Sequence, residues 1–132
     1  MTSTPIPESI ELARQRFRRE EGSALGLTQA CLERIAARDG EIRAFSVVDD
    51  VGSRRAAQRA DEAYQREREG GEDPPPLAGI PLSIKDNIDV AGFVSGCGHP
   101  PRHEAGSPAA EDAPAVARLR EAGAVLLGKA QM

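Results

Sequence analysis

The chain has 132 residues, 39% of them hydrophobic and 29% charged, the balance of a folded domain with its own core rather than of a disordered segment. Its net charge of −4 comes from 17 basic and 21 acidic residues that are interleaved, which excludes the clustered positive footprint of a direct nucleic-acid binder. The N-terminus has neither a basic start nor an apolar run, and the longest apolar stretch, near Ala122 to Gly128, is far too short to span a bilayer. The expected location is therefore the cytoplasm, with no membrane contact. Cys31 and Cys97 are too few and too ill-spaced for a disulfide framework or a zinc ribbon, which fits a reducing compartment.

Residues 1–7 are expected to be disordered, and the rest to form part of one domain that runs through 1–132. Segment 8–20 has Ile10, Ala13 and Phe17 at helical spacing and ends at Gly22. Thr28 is placed to cap a second helix through about Arg38, with Cys31, Leu32 and Ile35 inward and Gly40 closing it. Residues 44–48 read as a short strand. Asp50 or Ser53 then opens a third helix whose stripe is Ala56, Ala60, Ala63 and Tyr64. Gly70 to Pro76, with its glycines and prolines, is a surface connection.

Beyond it, Leu77 to Lys85 reads as a strand entering the interior, with Pro81 near its start. Gly92 to Ala110 reads as loop. Asp112 and Pro114 open a further helix with Val116 and Leu119 toward the core and Gly123 as its stop. The run Ala124–Leu127 follows directly and has the character of a strand buried on both faces. Helix, tight glycine turn and buried strand make an α/β protein. Such a strand needs neighbours on both sides and covering helices. With the chain ending soon after it, these residues are expected to be an incomplete fold, marginally stable and with an unpaired edge.

Of the 17 basic residues, only Lys85 and Lys129 are lysine. Arginine cannot lose its proton in a protein, whereas lysine can when its charged form is desolvated. Along the expected strand, Ile80, Leu82 and Ile84 share one face and Pro81, Ser83 and Lys85 the other. Lys85 stands where the strand breaks at Asp86-Asn87, and strand ends in α/β sheets are where sites are built. On pattern alone, a strand-end lysine reaching into water is the better account. Cys97, His99 and His103 lie in a proline-containing loop without a fourth ligand in reach, so neither a metal nor a Cys–His site is expected, and no cofactor is implied. Lys129 reads as a structural residue closing the buried strand.

The run LAGIPLSIKDNIDVAG over Leu77–Gly92 resembles the segment around the catalytic lysine of the amidase signature family. DAPAVARLREAGAVLLGK over Asp112–Lys129 resembles the helix and strand that follow it there, and Leu27–Phe45 is similar to the family's early helix and strand. The likeness implies the N-terminal portion of that family's fold, a mixed β-sheet covered by helices. It implies hydrolysis of a small-molecule amide through a Ser–cis-Ser–Lys triad, with Lys85 as general base and an acyl-enzyme on the way. Asp86 and Asn87 are implied to brace the site, or simply to terminate the strand. Burial on an apolar strand is the expected means of keeping Lys85 neutral.

The family's two serines lie in a downstream Gly/Ser-rich segment, and this sequence contains no Gly-Gly-Ser-Ser context. Ser83 shares a face with Lys85, but a Ser83–Lys85 pair would lack oxyanion donors. The 132 residues are therefore expected to be inactive alone. Two alternatives accompany this reading: a fragment resembling the glutaminase-type component of glutamyl-tRNA amidotransferase, which releases ammonia from glutamine within a complex, and a truncated non-catalytic remnant. Ser95-Gly96 and Ala130-Gln131 depart from the family's usual threonine pair and Thr-Asn, at loop positions that shape the pocket. Oligomeric state is not legible.

Overall fold

The structure, a computed structural model, describes residues 5–132. Among the described residues, five helices and three strands follow one another: α1 (Ile10–Arg18), α2 (Ala24–Ile42), β1 (Phe45–Val48), α3 (Asp50–Arg68), β2 (Pro81–Lys85), α4 (Pro100–Ala105), α5 (Pro114–Glu121) and β3 (Val125–Ala130). Part of the segment expected to be disordered, residues 1–4, lies outside the described residues. Ile6, within the same segment, packs against the core.

The strands form one sheet in the order β1-β3-β2, with β3 antiparallel to β1 and parallel to β2. A parallel pair requires a crossover, and here residues 86–124 supply it, carrying α4 and α5. On one face of the sheet, Phe17, Leu27, Leu32, Ala57, Ala60 and Tyr64 from α1, α2 and α3 close over Val125 and Leu127. On the other, Val90 and Val116 pack with Ile84 and Leu126. Val125 is fully buried and Leu127 is 7% exposed, and burial of such a side chain stabilises by about 1.5–3 kcal/mol.

The expected missing neighbour of this strand is therefore present. β1 pairs along one side of β3 and β2 along the other, so the apolar run is central, covered on both faces, and the open edges belong to β1 and β2 instead. Sequence order hid this, because β1 lies about eighty residues upstream and comes back antiparallel.

Helix starts were displaced in the same way. Ser23, not Thr28, caps α2 by accepting from the Gly26 N–H at 2.9 Å, and Thr28 is fully buried within the helix. Gly40 lies inside α2, which ends at Arg43 in a left-handed conformation (φ 56°). Asp49 caps α3, and its buried stripe is Ser53, Ala57, Ala60 and Tyr64, with Ala56 and Ala63 half-buried. Ile10 is 49% exposed, leaving Ala13 and Phe17 as the inward residues of α1.

Strand β2 begins only at Pro81. Residues 77–80 form turns closed by Ala78 N–H to Pro75 O and Ile80 N–H to Leu77 O, around Gly79 at φ 78°. Ile80 accordingly precedes the ladder and joins the helical core, while Leu82 and Ile84 pack on the opposite side of the sheet. The segment expected to be all loop, Gly92–Ala110, contains α4, started by Pro100 and Pro101 and capped by His99.

Candidate active site

Lys85 is the last residue of β2 and is exposed; its Nζ donates to the Gln131 carbonyl at 2.7 Å. The burial expected for it is thus not found among the described residues. The physical reason is alternation: Leu82, Ile84 and Asp86 turn toward the second core, so Ser83 and Lys85 emerge on the other face, past the end of the helical layer. The acceptor is rigidly placed. Lys85 pairs in register with Ala130, Asp86 N–H donates to Ala130 O at 2.9 Å, and Gln131 N–H donates to Ala44 O at 2.7 Å.

The strand ends in a turn closed by Ile88 N–H to Lys85 O at 3.0 Å, with Asp86 and Asn87 as its central residues. Both expected supporting residues therefore sit at the turn, but they differ. Asn87 is exposed, whereas Asp86 is 2% exposed and faces inward. Its partner is Lys129, whose Nζ lies 3.3 Å from Asp86 Oδ1; at that distance and angle the two meet as an ion pair rather than as an aligned hydrogen bond. Lys129 Nζ also donates to Ser95 Oγ at 3.2 Å, and Ser95 Oγ donates to Asp89 Oδ1 at 2.6 Å.

A bulge makes this possible. Leu82 pairs with Leu126 and Ser83 with Gly128, so Leu127 is an extra residue in β3. Without it, Lys129 would share the face of Val125 and Leu127. With it, Lys129 lies on the side of Leu126, Val90 and Phe93, where Asp86 also points. Sequence reasoning placed Lys129 at the end of the strand and missed its partners. The signal that could have found them is the parity of Asp86 with Leu82 and Ile84.

The loop departures fall beside this cluster. A Cβ on Gly96 would lie 2.7 Å from Asp86 Oδ2 and 3.1 Å from His103 Cβ, so position 96 has no room for a side chain. Cys97 N–H donates to Asp86 O at 3.2 Å, and Cys97 and Gly98 are both left-handed, at φ 54° and 70°. Asp86, Gly96, His99, His103, Ser46 and Gln131 line a recess of about 180 Å³. His99 spends Nδ1 on the cap of α4, accepting from Arg102 N–H at 3.3 Å.

Ser95 and Lys129 form a close serine–lysine contact, but it has the wrong polarity for a nucleophile and its base. The hydroxyl proton is committed to Asp89, the ammonium is committed to Asp86, and Ser95 is 7% exposed. Ser83 is exposed beside Lys85 on the same strand face. What the described residues assemble is one accessible amine on a rigid strand end, backed by a buried ionic cluster.

The Amidase family model matches residues 26–132. Over 127 residues the chain is 44% identical to the A-type subunit of the glutamyl-tRNA(Gln) amidotransferase of Roseiflexus castenholzii, covering 96% of this chain and 24% of that relative. It is 42% identical over 117 residues to the protein of the same name from Salinibacter ruber, covering 89% of this chain and 21% of that one. Among solved structures, the peptide amidase of Stenotrophomonas maltophilia superposes with a TM-score of 0.80 at 35% identity, over 96% of this chain and 26% of that one. A bacterial aryl acylamidase of the amidase signature enzymes shares the fold with a TM-score of 0.80 at 19% identity. The chain thus spans about a quarter of the length of the relatives it matches, 24% in the first case. With the lysine motif at the end of β2, the helix–strand unit behind it and the family match running through both, this chain belongs to the amidase family.

Proposed function

We propose that these residues supply the lysine half of an amide-hydrolysing site, in which Lys85 acts as general base through serines carried by a longer protein. The observation that supports this best is the presentation of Lys85: an exposed amine at the end of a parallel strand, steadied by one backbone carbonyl at 2.7 Å. A proton acceptor needs that combination of access and fixed direction. In the proposed reaction, one serine attacks the amide carbonyl while its proton passes through the second serine to Lys85. The C–N bond then breaks, the amine leaves with a proton returned by the same route, and water releases the acyl group. Asp86 and Asn87 hold the turn that ends the strand.

The experiment is substitution in the protein expressed with its whole reading frame. Lys85→Ala is expected to lower kcat on a small amide by about 100- to 10,000-fold, the range for loss of a general base. Retention of wild-type kcat by Lys85→Ala would sink the reading.

A second reading is favoured by the 44% identity to the Roseiflexus castenholzii protein. Here the parent is the amidase component of a glutamyl-tRNA amidotransferase and works with partner subunits. Glutamine hydrolysis that rises when companion subunits are added supports it, and turnover of peptide amides by the single chain supports a free-standing amidase.

A further inference from the structure

The ion pair between Asp86 and Lys129 is the most deeply buried charged contact described, with side chains 3% and 1% exposed, and the proposed chemistry does not use it. Stability alone is a poor account of it. A buried pair can usually be replaced by apolar residues of similar volume without loss, because desolvation offsets much of the attraction. Nor is lysine the expected choice here. Fifteen of the seventeen basic residues are arginine, whose fork pairs a carboxylate through two bonds, so a purely structural partner for Asp86 would conform to that usage.

Its position supplies the reason. Asp86 follows Lys85 in the chain, and the same β3 segment that carries Lys129 carries Ala130, the register partner of Lys85, and then Gln131, which accepts from Lys85 Nζ. Through Ser95, the ammonium of Lys129 reaches Asp89; through Asp86, it reaches the Cys97 amide. One buried cation thus fastens the end of β2 and both ends of the loop 89–97 to the central strand. We propose that Lys129 is a positioning residue for Lys85, holding Asp86 so that the strand end presents the Lys85 amine in one direction. Ser95 serves as the second anchor of the same cation. This rests on the reading of Lys85 as the general base.

The test uses the protein with its whole reading frame and four variants: Lys85→Ala, Lys129→Met, Asp86→Asn, and the last two combined. Active sites are counted with an acylating reagent, so that kcat is expressed per competent molecule and unfolded protein does not enter. Lys129→Met is expected to lower kcat per site by about 10- to 100-fold while KM stays within about twofold, the pattern of a misplaced catalytic group. The double variant, with no charge left unpaired, is expected to recover thermal stability but to keep the lowered kcat per site. It carries the test where Lys129→Met fails to fold. A double variant with wild-type kcat per site, in a background where Lys85→Ala is inactive, overturns the positioning role and leaves the base. An active Lys85→Ala overturns the base itself, and the positioning role with it.

Discussion

Lys85 and Lys129, the two lysines of the chain, stand one register step apart on neighbouring strands in opposite surroundings. Lys85 is exposed and donates to a carbonyl, whereas Lys129 is 1% exposed and held between Asp86 and Ser95. An amine-acylating reagent at mild pH should therefore label Lys85 and spare Lys129 in the folded chain, and label both after denaturation. Peptide mass spectrometry reads the two sites separately. Equal labelling of both in the folded state would contradict the burial of Lys129.

Gly79 is a tight point beneath the helical layer. It has φ 78°, and a Cβ there would lie 2.5 Å from Ala24 Cβ and 3.2 Å from Phe17 Cε2. Gly79→Ala combines a left-handed alanine with overpacking, and should destabilise by about 3 kcal/mol. The urea midpoint at unchanged m-value measures it. A loss below about 1 kcal/mol would mean that α2 moves aside without difficulty.

Tyr64 joins the helices to the turn before β2. Its ring meets Phe17 edge-on with centroids 5.4 Å apart, and its hydroxyl donates to Ala78 O at 3.2 Å within the core. Tyr64→Phe keeps the ring and should cost about 1 kcal/mol, whereas Tyr64→Ala should cost about 3–5 kcal/mol through the cavity it leaves. Similar losses for the two variants in chemical denaturation would show that the hydroxyl, not the ring, dominates.

Burial pushes the Cys31 thiol above its ordinary range, with the nearby Arg34 charge opposing in part. A raised pKa means less thiolate at a given pH, and the thiolate is the reactive form. Iodoacetamide at pH 8 should therefore modify Cys31 more slowly in the folded chain than in urea. The folded rate should still be climbing with pH where the unfolded rate has levelled. A folded rate equal to the unfolded one would show that the thiol is accessible and unshifted.

The 132 residues on their own should hydrolyse neither glutamine nor a peptide amide, because they carry no Gly-Gly-Ser-Ser segment to supply the serines and oxyanion donors, and Ser95 is buried with its hydroxyl donating to Asp89. Product release is followed by ammonia assay. Turnover that disappears on Lys85→Ala would show that a serine within these residues is the nucleophile.

Residue pattern by itself determined most of the elements and the motif, though not α4 or the start of β2: amphipathic spacing for α1, α2, α3 and α5, the apolar run of β3, the proline and glycine that bound α5, and the lysine segment that carries the family likeness. These are local properties, set by propensity and periodicity within a few turns of chain. Tertiary structure alone decided the environments. Which strand pairs with β3 depends on β1 returning from far upstream. Which face of the sheet Lys129 enters, and so that it meets Asp86, depends on one extra residue at Leu127, and the exposure of Lys85 depends on the parity of β2. A bulge changes every side chain beyond it to the other face without altering composition or spacing, so no reading of the sequence in windows could assign the two lysines their opposite surroundings.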